Sequence, residues 1–220
     1  MDILHRLPAP KLGEHVSFMG NTGEGKTYVA TALLLDKNYP HYIIVNTKHD
    51  DFFGSFGKTI RNDDEILSVA EGGYDYRPSD LFLQSMPHKE RFFAWCLKAG
   101  NRRIYCDEIN DICPSAQRYP FMFQKCIKQG RWKKLSMLVT AQEIIRAPSF
   151  CFSQTQHRYL WYLGWPLHRR LAESWFEQVI PWEEIPERSH KFLLKTPGGI
   201  YGPQPPINTR AIDERLLVNV

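Results

Sequence analysis

The chain has 220 residues, enough for one well-filled domain and too few for two domains with a long linker. Its 43% hydrophobic and 24% charged residues exclude disordered and fibrous classes. A net charge of +4 with a pI near 8.7 leans toward a polyanionic partner without identifying a nucleic-acid binder unaided. No run of about 18 apolar residues is present, and the first residues lack a basic-then-apolar leader, so a cytoplasmic protein without a membrane span of its own is expected. Five cysteines (Cys96, Cys106, Cys113, Cys126 and Cys151) without a C-x-x-C pair read as reduced core residues rather than a disulfide or zinc framework.

In chain order, the first predicted strand is His15 to Met19. It runs into Gly20-Asn21-Thr22-Gly23-Glu24-Gly25-Lys26-Thr27, a complete G-x-x-x-x-G-K-[ST] motif, and then into a helix with Val29, Ala30, Leu33 and Leu34 on one face. Glycines let the backbone turn so that its N–H groups point at phosphates, and the helix N-terminus adds partial positive charge. Lys26 is expected on the β- and γ-phosphates and the Thr27 hydroxyl on Mg²⁺. A strand flanking the motif on one side and a helix on the other is the context a phosphate loop requires, so nucleoside triphosphate binding is the first functional expectation.

The short β-branched run Tyr42 to Val45 predicts a second, buried strand. Asp50 to Gly73 reads as loop with a short helix over Asp63 to Ala70, and Tyr74 to Arg77 as a strand stopped by Pro78. His88 to Lys98 predicts a helix closed by Gly100. Arg103 to Cys106 is a strand running into Asp107-Glu108. A helix over about Tyr119 to Gln129, closed by Gly130, leads to a strand from Leu135 to Thr140 that runs into Ala141-Gln142. A strand over Arg158 to Leu163, a helix over Leu167 to Gln178 and a hairpin of Lys191 to Lys195 with Ile200-Tyr201 follow, after which Pro203, Pro205 and Pro206 are expected to prevent further regular structure. Alternating strands and helices predict an α/β fold with a mostly parallel sheet flanked by helices and a C-terminal β-hairpin. One domain is expected over 1–220, with its core over about 15–180 and the hairpin and tail over about 190–220.

Asp107 and Glu108, at a strand tip about 80 residues past the loop, form the second half of a triphosphatase site. Asp107 suits Mg²⁺, a hard cation that takes oxygen ligands, and Glu108 suits the role of base for the attacking water. Gln142 is a candidate to orient that water, since an amide donates and accepts together. Arg131, after Gly130 and before a strand, is expected near the C-terminal edge of the sheet, where a guanidinium would reach a neighbouring subunit's site; a surface ion pair is the alternative. Lys125, Lys128, Arg131, Lys133 and Lys134 form one basic cluster and His168, Arg169 and Arg170 another, each equally a solvated face or a DNA contact.

The order of the loop motif, Asn46-Thr47-Lys48, Tyr105-Cys106-Asp107-Glu108, Lys128-Gln129-Gly130-Arg131 and Thr140-Ala141-Gln142 resembles the FtsK/HerA superfamily of P-loop ATPases, over roughly residues 15 to 165. In size it is most similar to the genome-packaging ATPases of membrane-containing icosahedral viruses. Asn46-Thr47-Lys48 stands where the family often has Asp-Pro-Lys, and Ala141-Gln142 where it commonly has Thr-Gln. The resemblance implies an ATP- and Mg²⁺-dependent double-stranded DNA translocase that packages a viral genome into a preformed capsid. It also implies a pentameric or hexameric ring, a capsid or membrane portal protein as partner, and a place in the host cytoplasm and at the packaging vertex of the virion. It gives Gln142 a sensor role and arginines a role in trans; after Arg131, Arg146 and Arg158 are the next candidates. Other DNA-handling FtsK/HerA-type ATPases, the filamentous-phage assembly ATPase and a small-molecule kinase are the rival readings.

Overall fold

A computed structural model describes residues 8–36 and 38–207. Among the described residues nine strands form one sheet: β1 (Val16–Met19), β2 (Tyr42–Val45), β3 (Lys58–Ile60), β4 (Gly73–Tyr76), β5 (Arg102–Cys106), β6 (Leu135–Ala141), β7 (His157–Leu160), β8 (Phe192–Thr196) and β9 (Gly199–Gln204). Their spatial order is β3-β4-β2-β5-β6-β1-β7-β8-β9. The first seven in that order pair in parallel, and β8 and β9 add as an antiparallel hairpin on β7. The helices are α1 (Lys26–Leu34), α2 (Asp80–Gln84), α3 (Met86–Ala99), α4 (Ile109–Ile112), α5 (Phe121–Gln129), α6 (Phe150–Ser153) and α7 (Pro166–Phe176). Among the described residues no helix is long and apolar enough to cross a membrane.

Period-two alternation in strands buried on both faces divides the core into two layers. Ile43, Val45, Ile104, Cys106, Met137 and Val139 face α3 and α5 through Phe92, Phe93 and Phe123. Phe18, Ile44, Tyr105, Leu138 and Tyr159 face the Val29, Ala30 and Leu33 side of α1. All five cysteines are buried free thiols in the first layer, as small core residues.

Parallel pairing places the tips Met19, Val45, Cys106 and Ala141 along one edge of the sheet, and every loop that leaves them opens on that edge. The strand carrying Asp107 is separated from the phosphate-loop strand only by β6, so the residue that ends β6 lies between the two motifs.

Several elements differ from the sequence expectation. The segment expected as loop contains a three-residue edge strand, β3, of which only Ile60 is buried. The helix expected over Asp63 to Ala70 is a single 3-10 turn, Glu65–Ser68. The strand expected to reach Leu163 stops at Leu160, since its partner β1 turns away at Gly20; the chain then follows the loop, with Asn21 N donating to Tyr162 O at 3.1 Å. Gly130 closes α5 as expected, but with right-handed angles (φ −58°) in place of a left-handed cap, so the chain continues as a 3-10 turn to Lys133, stopped by the left-handed Lys134 (φ 52°). The glycine is needed for space, as a Cβ there would lie 3.0 Å from Leu135 O. Pro203 lies inside β9, where an edge strand tolerates the missing N–H. Of the expected tail, 208–220 lie outside the described residues.

Candidate functional site

The phosphate loop leaves β1 at Gly20, where a Cβ would sit 2.8 Å from Cβ of Trp161, so only glycine fits over the indole. Gly23 and Gly25 have left-handed φ of 81° and 93°, the conformation glycine adopts without strain. Gly25 caps α1, whose first N–H groups therefore face the loop.

Lys26 is 5% exposed and donates from Nζ to Gly20 O at 2.9 Å and Asn21 O at 2.6 Å. Burial pushes its pKa down to about 8; Lys48 adds to this, while Glu108, Glu24 and Asp107 oppose it. Asp107 and Glu108 sit at the tip of β5, 8% and 6% exposed. Burial raises both carboxyl pKa values, and Lys48 is the first of the groups pulling each back. Asp107 accepts a 3.0 Å hydrogen bond from the Tyr105 hydroxyl, which also meets the Thr140 hydroxyl at 3.0 Å. Glu108 accepts from Asn110 Nδ2 at 3.1 Å and lies 3.8 Å from Lys48 Nζ. The turn after Glu108 is fixed from below: Lys89, buried in α3, donates to the carbonyls of Asp111 and Ile112, and Thr47 donates to the Asp111 carboxylate at 2.6 Å.

Gln142, just past β6, accepts from the Thr22 hydroxyl at 2.7 Å, so the strand between the two motifs is in direct contact with the loop. Thr22, Lys26, Thr27, Lys48, Asp107 and Gln142 line one cavity of about 490 Å³, inside the range of small-molecule sites. Thr27 and Asp107 supply two hard oxygen donors, which is the small protein set Mg²⁺ uses when phosphates and water complete its shell.

Arg131 is corrected. It is exposed and precedes β6, and its carbonyl approaches Gly13, ahead of β1, so it lies at the N-terminal edge of the sheet. The residue before a parallel strand is on the side opposite the strand tips, and β6 spans 7 residues, about 23 Å. Arg158 is committed to the carbonyls of Phe152, Ser153 and Trp175. Arg146 is the remaining candidate on the cavity side, half exposed and paired to Glu143 at 3.1 Å. Tyr28, Trp161, His190 and Phe192 also line the cavity and carry no sequence signal for it, because they come from apolar positions or from a segment far along the chain.

No protein-family model matches the chain. A curated relative, DNA packaging ATPase P9 of Enterobacteria phage PRD1, is 28% identical over 159 residues, which is 70% of this chain and 66% of the relative, just under two thirds of its length. The genome packaging NTPase B204 of Sulfolobus turreted icosahedral virus 2, solved with sulfate, superposes with a TM-score of 0.67 at 16% identity, covering 90% of this chain and 100% of that one. The pCW3 conjugation coupling protein TcpA with ATPγS gives 0.62 at 11% identity, covering 94% of this chain and 65% of that one. The chain thus has the P-loop NTPase fold, and the proteins it is similar to include a phage DNA packaging ATPase in sequence and a viral genome packaging NTPase in fold.

Proposed function

We propose that this chain is an ATP-hydrolysing double-stranded DNA translocase that packages a viral genome. The observation that carries this reading is the convergence of Lys26, Thr27, Asp107 and Gln142 on one cavity, with Glu108 beside it, 3.8 Å from the lining residue Lys48, in a chain similar to a DNA packaging ATPase. The loop N–H groups and Lys26 would hold the triphosphate, and Thr27 and Asp107 would hold Mg²⁺, which supplies charge neutralisation at the phosphates when bound. Glu108, whose pKa burial raises and Lys48 pulls back, would accept the proton of the attacking water. Gln142 would position that water by exchanging its Thr22 bond for one to it. Water as acceptor explains a buried carboxylate at the strand tip better than a kinase acceptor does.

The continuous sheet favours a single ATPase domain. A homo-oligomeric ring, a capsid or membrane portal partner, and action in the host cytoplasm and at the packaging vertex belong to the same proposal. Arg146 replaces Arg131 as the arginine offered to a neighbouring site. The basic turn at the other edge, with Lys128, Lys133 and Lys134 exposed and Lys125 half buried against Phe121, is offered to DNA phosphates.

The test is ATP hydrolysis by the wild-type chain with and without duplex DNA, beside Glu108→Gln and Lys26→Ala. Stimulation by duplex of any sequence, binding without turnover in Glu108→Gln, and loss of binding in Lys26→Ala are expected. Transfer of phosphate to a small metabolite in place of water would overturn the reading.

A further inference from the structure

At the edge of the sheet away from the cavity, β6 is preceded by the turn Gly130–Lys133, in which Trp132 is 91% exposed. The turn is held from both sides. Arg131 O accepts from Lys134 N at 3.1 Å, and Lys133 O accepts from Asn101 N at 2.8 Å. Gly13 and Gly100 come so near that a Cβ on them would lie 3.1 Å from Arg131 O and 2.5 Å from Lys133 O. Asn101 and Lys134, the residues that donate to these carbonyls, both take left-handed φ, 44° and 52°. Non-glycine residues hold that conformation at a cost in free energy, and only where surroundings enforce it. Three chain segments thus converge, under strain, on a turn whose carbonyls are engaged and whose indole stands in water.

The indole is set among cations. Lys128, Arg131, Lys133 and Lys134 are all exposed, and none of the ion pairs among the described residues uses them. The other exposed large apolar residue of this arm, Phe121, stands at the opposite end of α5, about 12 Å along the helix. Lys125 Nζ covers it, 4.7 Å from the ring centroid. A single indole is too little for a stable protein interface, which buries roughly 800 Å² on each partner, and a membrane-surface anchor needs a wide apolar face. It matches the face of one nucleic-acid base, with cations beside it for the adjoining phosphates. Inside a closed duplex both faces of a base are already covered, and wedging a side chain between them costs unstacking. An unpaired base has a face to offer.

We propose that the turn around Trp132 grips DNA at unpaired bases, as in a single-stranded tail at a duplex end. Trp132 stacks on a base while Lys128, Arg131, Lys133 and Lys134 hold the phosphates next to it. This rests on the DNA-handling reading above and adds to it where on the DNA the chain takes hold. Stacking uses a π-face that every base has, so no base sequence is preferred.

The test is fluorescence anisotropy of the full chain with three labelled DNAs: a short blunt duplex, the same duplex with a single-stranded tail of about 10 nucleotides, and the same with an abasic tail of equal length. Wild type should bind the tailed duplex about tenfold more tightly than the blunt one, whereas the abasic tail, which adds phosphates without bases, should gain less than about threefold. Trp132→Ala should bind the tailed duplex no better than the abasic one, and Trp132→Phe should keep most of the gain. Lys133→Ala should weaken binding to all three alike and flatten its salt dependence. An equal gain from the abasic tail overturns the stacking without reference to any variant, because charge alone then explains it. A tail preference that survives Trp132→Ala overturns it too, and if that variant instead loses binding to phosphatidylglycerol vesicles, the indole belongs to a lipid surface. A chain that binds blunt and tailed duplexes equally refutes the grip alone, whereas one that hydrolyses ATP and binds none of the three DNAs refutes the DNA-handling reading with it.

Discussion

Lys26 carries a proton at a cost, and the cost can be measured without any nucleotide. Its pKa falls from 10.5 to about 8 because the ammonium is buried. Between those values the unfolded chain binds more protons than the folded one, so this group makes stability rise with pH across that window. Below about pH 8 both states are charged and the penalty is constant, at about 3 kcal/mol for a shift of this size. Replacing Lys26 by Met keeps the length and removes the charge. The variant loses two hydrogen bonds to loop carbonyls, each worth about 1 to 3 kcal/mol, but those losses do not vary with pH until the lysine itself titrates. The stability of wild type relative to Lys26→Met should therefore improve by about 2 kcal/mol between about pH 7 and pH 9.5. Urea denaturation of both proteins across that range reads the difference directly. A flat difference would mean that Lys26 titrates normally and is solvated, and the reasoning from burial would be refuted. Bound triphosphate reverses the sign: it favours the charged form, so above about pH 8 binding should take up a proton and weaken as pH rises.

Lys48→Ala removes the ammonium that pulls the Glu108 pKa down, so the acid limb of the kcat profile should move to higher pH; a limb that stays in place refutes the pairing. Asn110→Ala frees the Glu108 carboxylate and should lower kcat about tenfold with ATP affinity intact, as expected for a positioning group. Gly57→Ala would put a Cβ 2.5 Å from the backbone of Gly73, and urea unfolding should show a loss of about 1 to 3 kcal/mol or more. In a ring of proposed subunits, Arg146→Ala should bind ATP without hydrolysing it, and mixing it with Lys26→Ala should recover part of the turnover; if Arg146→Ala alone turns over normally, another residue supplies that charge.

Much of the core was legible because parallel strands buried on both faces leave short apolar runs, and Tyr42 to Val45 and Leu135 to Thr140 read as such. The loop motif was legible because glycines are tied to backbone conformation at fixed offsets. Lys26, Asp107, Glu108 and Gln142 were assigned to one place because each ends or follows a strand, and strand tips share an edge. Arg131 failed on the same logic applied in reverse: a residue that begins a strand lies at the other edge. The part of the cavity lined by His190 was illegible, since nothing in Arg188-Ser189-His190 announces that Glu24 will capture its backbone. The edge strand β3 was missed because only one of its residues is buried, which leaves no periodic signal to read.

β6 joins two places that look unrelated. One end touches the phosphate loop through Gln142 and Thr22; the other continues from the turn that carries Trp132, 91% exposed, among the lysines. All of its residues are buried, and it is hydrogen-bonded on both sides by β1 and β5. A strand so clamped does not flex on its own, because close-packed interiors transmit strain instead of absorbing it. Mechanically it is a push rod and not a hinge. A displacement of the loop end reaches the basic turn as a shift of the whole body, so any work done at that turn is done by moving the entire sheet against whatever holds the turn.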